Sequence, residues 1–133
     1  MKILYSDHCV AILRAQLDLT GLVAPDEELA TTSISVGELV HDAIESQRAV
    51  DNLARLDVLL AALTILPFDE WPARRFGQLK AQLEKTGEVI SDLDLQFASI
   101  ALDRDAPLVS HNQKHFSRLS DLAGLVLEDW LVQ

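Results

Sequence analysis

The chain is poor in the residues that would allow several familiar solutions. It holds a single cysteine, Cys9, among 133 residues, which excludes an internal disulfide and suits a reducing compartment. Aromatic residues make up only 5%, so aliphatic packing must supply the core. Lys and Arg number 11 against 21 Asp and Glu, a formal net charge of −10. That balance argues against passive electrostatic binding of nucleic acid, which rests on a basic footprint. It leaves room for a nuclease whose metal ions supply positive charge locally. Long hydrophobic runs are missing too. The apolar start Met1-Lys2-Ile3-Leu4 is interrupted by Asp7, His8 and Arg14, so it reads as neither a signal peptide nor a membrane span, and a cytoplasmic protein is expected. No P-loop, G-x-G-x-x-G or G-x-S-x-G motif occurs. His111 and His115 form an i,i+4 pair without a third zinc partner.

What is present is a globular composition, 49% hydrophobic and 24% charged, of a length that fits one domain with one core. Apolar runs alternate with helical patterns in the βαβ manner. Strands are predicted at Lys2–Ser6, Leu29–Thr32, Thr64–Leu66, Leu108–Ser110 and Leu125–Leu127. They are short and unalternating, as expected for strands covered on both faces. Helices are predicted at His8–Leu19, Ser35–Glu45, Val50–Leu63, Asp69–Lys85, Asp92–Arg104 and Lys114–Leu122, with a break at Ser46-Gln47-Arg48. Pro72 fits a first helical turn and Thr86-Gly87 a helix end. The expected fold is an α/β, three-layer αβα domain with a parallel sheet of about five strands.

Acidic residues recur where strands end or helices begin. Asp7 closes the first apolar run. Glu38 lies in Ser35-Val36-Gly37-Glu38-Leu39, and Asp92 and Asp94 open Asp92–Arg104. In an open α/β sheet such positions converge on the crevice outside the carboxyl ends of the strands. Carboxylates gathered there repel one another unless a divalent cation joins them, so Mg²⁺ or Mn²⁺ and phosphate-ester chemistry are the expected use. Each acid also has a local explanation. Ser35–Glu38 and Ser91–Asp94 match helix capping boxes, and Asp7 suits a turn or cap. Asn112, just past the fourth strand, fits either a helix N-cap or a residue orienting water or phosphate. Ser110 fits a hydrogen bond to a ligand carboxylate. Cys9 reads as a small buried group, and Trp71 and Trp130 as anchors of helices or an interface.

The chain resembles the PIN-domain family, and more narrowly the VapC-type toxin ribonucleases. The resemblance is carried by Ile3-Leu4-Tyr5-Ser6-Asp7-His8-Cys9, Ile34-Ser35-Val36-Gly37-Glu38-Leu39-Val40 and Ser91-Asp92-Leu93-Asp94-Leu95-Gln96-Phe97-Ala98. Leu108–Phe116 and Leu127-Glu128-Asp129-Trp130 add to it. It implies Mg²⁺- or Mn²⁺-dependent cleavage of RNA, a homodimer, and a cognate antitoxin that neutralises the site. Glu38 would match the second family acid and Asp94 the third. Ser110 would match a small hydroxyl residue and Asn112 a fourth site, while Asp92 could serve a second ion or activate water. One departure matters. The most direct register places Tyr5, not an aspartate, at the first family acid, and Asp7 two residues later. A neutral phenol is a poor Mg²⁺ ligand.

Two functions follow as expectations. One is a metal-dependent endoribonuclease using Asp7, Glu38 and Asp94. The other is a degenerate PIN protein that binds antitoxin or RNA with little or no cleavage. A receiver-like phosphoacceptor domain, with Asp69 as acceptor, is a third reading by analogy of fold. The helices Val50–Leu63 and Lys114–Leu122 are candidate partner contacts.

Overall fold

The computed structural model describes residues 1–131. Five strands, β1 Lys2–Leu4, β2 Leu29–Thr32, β3 Thr64–Leu66, β4 Leu108–Val109 and β5 Leu127–Glu128, form one sheet in the order β3-β2-β1-β4-β5. All four pairings are parallel. Six helices connect them: α1 Ser6–Leu13, α2 Ser33–Glu45, α3 Ala49–Ala61, α4 Glu70–Lys85, α5 Asp92–Asp103 and α6 Gln113–Ala123. Successive strand side chains point to opposite faces, and the two core clusters divide accordingly. Ile3, Ala30 and Leu108 pack with Leu79 and Leu83 of α4, Leu95 and Ile100 of α5, and Phe116 and Leu119 of α6. Leu4 and Val109 pack with Cys9 of α1, Leu39 of α2 and Leu56 of α3. The sheet is therefore covered on both sides, as its apolar strands require.

The chain lays down β1, β2 and β3 outward, then returns to place β4 on the other side of β1. The reversal puts a crevice at the carboxyl ends of β1 and its neighbours, where ligands bind in open α/β sheets.

Several boundaries differ from the sequence reading. β1 stops at Leu4 rather than Ser6, because Tyr5 (φ −72°, ψ 164°) is the N-cap of a helix that already begins at Ser6. That helix ends at Leu13 rather than Leu19: Ala15 turns to φ 54°, and its end is closed by Gln16 N–H donating to the Ala11 carbonyl at 2.8 Å. The last strand is Leu127–Glu128 rather than Leu125–Leu127. Leu125 instead closes α6, its N–H reaching the Leu119 carbonyl at 3.3 Å beyond Gly124 at φ 75°. The Gly124 N–H reaches the Ser120 carbonyl at 3.0 Å, an αL-type helix end with a buried apolar residue after the glycine. Trp71, expected as an anchor, is 67% exposed on α4. No helix among the described residues is long and apolar enough to cross a membrane.

Candidate functional site

The end of β2 sets the first side of the crevice. Thr32 caps α2, its Oγ1 accepting the Ser35 N–H at 3.3 Å. The helix thus starts before Ser35, which becomes a buried interior residue, and the expected Ser35–Glu38 capping box does not form. Glu38 is free to turn outward, where its Oε1 accepts from Ser6 Oγ at 3.1 Å. Burial raises the Glu38 carboxyl above its usual range; the Ser6 hydrogen bond opposes this, and the charges of Asp94 and Asp42 add to the rise.

The start of α5 sets the second side. Ser91 caps it by accepting the Asp94 N–H at 3.2 Å. The Asp94 side chain, in a residue 7% exposed, does not return the favour. Its Oδ1 accepts from the Tyr5 hydroxyl, and its Oδ2 accepts from His115 Nδ1 at 3.0 Å. Asn112 Nδ2 lies 2.8 Å from the same imidazole nitrogen. Asn112 holds the N-cap position of α6 without a side-chain cap bond.

Tyr5 stands between these acids, at the end of the central strand. Its ring meets Phe97 and Phe116 edge to face, at centroid distances of 5.0 and 5.2 Å. Burial pushes the phenol far above its ordinary value, and the hydrogen bond to Asp94 and the charges of Asp94, Glu38 and Asp7 act in the same direction. The hydroxyl therefore remains a proton donor.

Asp7 belongs to a different network. Its Oδ1 accepts from His8 Nδ1 at 2.8 Å. Its Oδ2 accepts from Ser110 Oγ at 3.1 Å and from the His111 N–H at 2.8 Å. Burial opposes ionisation of Asp7, yet the bonds from His8, His111 and Ser110 outweigh it and hold the carboxyl below its usual range. His8 is fully buried, and its Nε2 accepts the Trp130 N–H at 3.1 Å, which fixes the proton on Nδ1. Ser110 thus supports Asp7, with the Asn112 N–H donating to its Oγ at 2.9 Å.

The expected residues do not meet at one point. Glu38, Asp94 and Tyr5 share the crevice; Asp7 and Ser110 are engaged beside it. Asp92 leaves it, its Oδ1 lying 3.0 Å from Lys80 Nζ. His111 and His115 diverge, the first to Asp129 Oδ2 at 2.8 Å and the second to Asp94. Among the described residues, no group of three or more His, Cys, Asp or Glu side chains converges to hold a metal ion. The donor chemistry explains why. A divalent cation needs oxygen lone pairs, whereas Tyr5 presents a proton to Asp94, and Asp7 Oδ2 already accepts two hydrogen bonds. In this arrangement the residues do not fit the three-carboxylate centre expected from the sequence.

Two contributors carry no such role in the sequence: His8 stands there only within a motif, and His115 only as half of an i,i+4 histidine pair. The signal for His115 was its place three residues after Asn112, on the same face of a helix.

Comparison with known proteins bears on the family and the fold. The PIN domain family model matches residues 6–122. Ribonuclease VapC2 of Rickettsia felis is 34% identical over 109 residues, covering 82% of this chain and 79% of the relative. The tRNA(fMet)-specific endonuclease VapC of Shigella flexneri is 29% identical over 103 residues, covering 77% and 76%. Among solved structures, VapBC2 from Rickettsia felis bound to a promoter DNA fragment contains a chain that superposes with a TM-score of 0.87 at 31% identity, covering 97% of this chain and 98% of that one.

Proposed function

The chain belongs to the PIN-domain family, and from that premise we propose that it is the toxin component of a VapBC-type toxin–antitoxin pair, directed at RNA, whose Mg²⁺- or Mn²⁺-dependent cleavage is throttled by Tyr5. The observation that carries this reading is the Tyr5 hydroxyl donating to Asp94 where the family resemblance calls for another carboxylate. RNA as substrate class and an antitoxin as partner come from the names of the relatives. A homodimer in the cytoplasm completes the proposal. The helix pair α2–α3 offers an apolar face for a protein partner, with Ile44, Val50 and Val58 exposed.

A second reading, an unimpaired Mg²⁺- or Mn²⁺-dependent endoribonuclease using Glu38 and Asp94, is favoured by one observation. The charge of Asp94 is felt at Glu38, so the two carboxylates face the same crevice.

One experiment separates them. The protein, freed of any partner, is incubated with RNA in Mg²⁺ or Mn²⁺, with and without chelator, as wild type and as Tyr5→Asp. The throttled reading expects Tyr5→Asp to cleave roughly 100-fold faster, equivalent to about 3 kcal/mol of transition-state stabilisation, and to lose this with chelator. Wild type cleaving as fast as Tyr5→Asp would leave only the second reading standing.

A further inference from the structure

We propose that the cleft between residues 86–91 and the start of α6 is a subsite for single-stranded RNA, with Lys114 as its phosphate contact and Val89 as an apolar surface for a base. The proposal rests on the reading that RNA is this protein's ligand, and it assigns where the strand is gripped.

The cleft measures about 420 Å³ and adjoins the crevice. Ser91, which caps α5 above Asp94, lines one wall together with Val89. Lys114, His115 and Arg118 line the other. In a chain with 21 acidic and 11 basic residues, a Lys and an Arg on one helix edge concentrate the scarce charge. Positions i and i+4 of a helix face the same way, so Lys114 and Arg118 are presented together. The acid of the cleft is neutralised in place: Arg118 Nε donates to both oxygens of Glu88, at 2.8 and 2.7 Å. Lys114 has no carboxylate within ion-pair distance among the described residues. His115 is held by Asp94 at 3.0 Å and so joins the cleft to the crevice. Val89 is 93% exposed, an aliphatic side chain held out at the mouth.

The need for such a subsite follows from charge. Glu38, Asp94 and Asp7 repel a polyanion, and among the described residues no third carboxylate completes a cation site with Glu38 and Asp94. A strand that reaches the crevice must draw its affinity from fixed cations nearby, since phosphate contacts supply most of sequence-independent binding. Single strands add contacts to exposed base faces. Lys114 and Val89 provide one of each, beside Asp94.

The test is fluorescence anisotropy with a labelled oligouridylate of about ten nucleotides, in chelator so that nothing is cut, across a salt series. Lys114→Glu is expected to weaken binding roughly tenfold and to lower the slope of log K against log salt by about 0.7. Val89→Asp is expected to weaken it as well. Lys114→Arg and, on α4, Arg75→Gln should bind within about twofold of wild type, since neither removes a phosphate contact at this cleft. Circular dichroism and thermal unfolding check that each variant folds. Equal binding by wild type and Lys114→Glu overturns the subsite while the toxin reading stands. Loss of antitoxin binding in Lys114→Glu with RNA binding intact also overturns it, in favour of a protein-docking cleft. If neither wild type nor Tyr5→Asp binds RNA, the subsite and the reading beneath it fall together.

Discussion

At the scale of single residues, one hydroxyl decides the character of the crevice. Tyr5 gives Asp94 a proton to hold where a carboxylate would have given it a rival charge. Removing only that hydroxyl isolates its contribution. Tyr5→Phe keeps the edge contacts to Phe97 and Phe116 but leaves Asp94 Oδ1 without its donor. It should cost about 1–3 kcal/mol in urea unfolding, the penalty for an orphaned buried acceptor. A neutral result would mean that water replaces the phenol. Asp7 makes a prediction in pH. Its folded pKa lies below the unfolded value near 3.8, so its stabilisation is present above that value and is lost as pH falls through the folded pKa. The stability gap between wild type and Asp7→Asn should be level above about pH 5 and close progressively below about pH 4. A gap that widens in acid would contradict the network around Asp7. These residue-level facts were only half visible in the sequence. Acid positions are legible because they recur at strand ends. The partner of each acid is not, because Asp7 and Ser110 are brought together by a fold that spans most of the chain.

At the scale of elements, helix ends place the functional groups, and small conformational terms control them. Gly124 closes α6 at φ 75°, and a Cβ there would meet nothing within 4 Å. Gly124→Ala should therefore destabilise by about 1–2 kcal/mol through backbone strain alone. Gly77 offers the opposite case. It lies inside α4, also with nothing within 4 Å of an added Cβ, and Gly77→Ala should stabilise by about 0.5–1 kcal/mol. Thermal unfolding of the two variants reads both signs; the same sign for both would refute the backbone argument. The long helix α4, with Pro72 in its first turn and Thr86 and Gly87 at its end, was legible because those signals are local. The start of α2 was not. Its S-x-x-E pattern pointed to Ser35, yet Thr32 captured the cap because β2 ends there. That shift buries Ser35 and sends Glu38 to the crevice.

At the scale of the whole molecule, excess negative charge is the dominant long-range term. A net charge of −10 on 133 residues disfavours the compact state through self-repulsion. Raising salt from about 0.02 M to about 0.5 M screens that repulsion and should raise the midpoint of thermal unfolding. The exposed pairs Arg74–Glu70 and Lys80–Asp92 are also screened, but such pairs contribute little. A midpoint that falls with salt would mean that specific ion pairs outweigh the net field. The same field makes the basic edge of α6 informative, because cations here are few enough that their placement carries meaning.

By itself the sequence determined the fold class, the order of strands and helices, and the family. Alternation of short apolar strands with amphipathic helices is local and repetitive, and motif order survives in one dimension. The family resemblance, in its most direct register, also led us to expect an acid where Tyr5 stands. Only the tertiary structure decided what Tyr5 touches. Hydrogen bonds between residues 89 positions apart, as between Tyr5 and Asp94, depend on where the fold brings two distant segments together and on which oxygens already have partners. Periodicity and propensity carry no record of either.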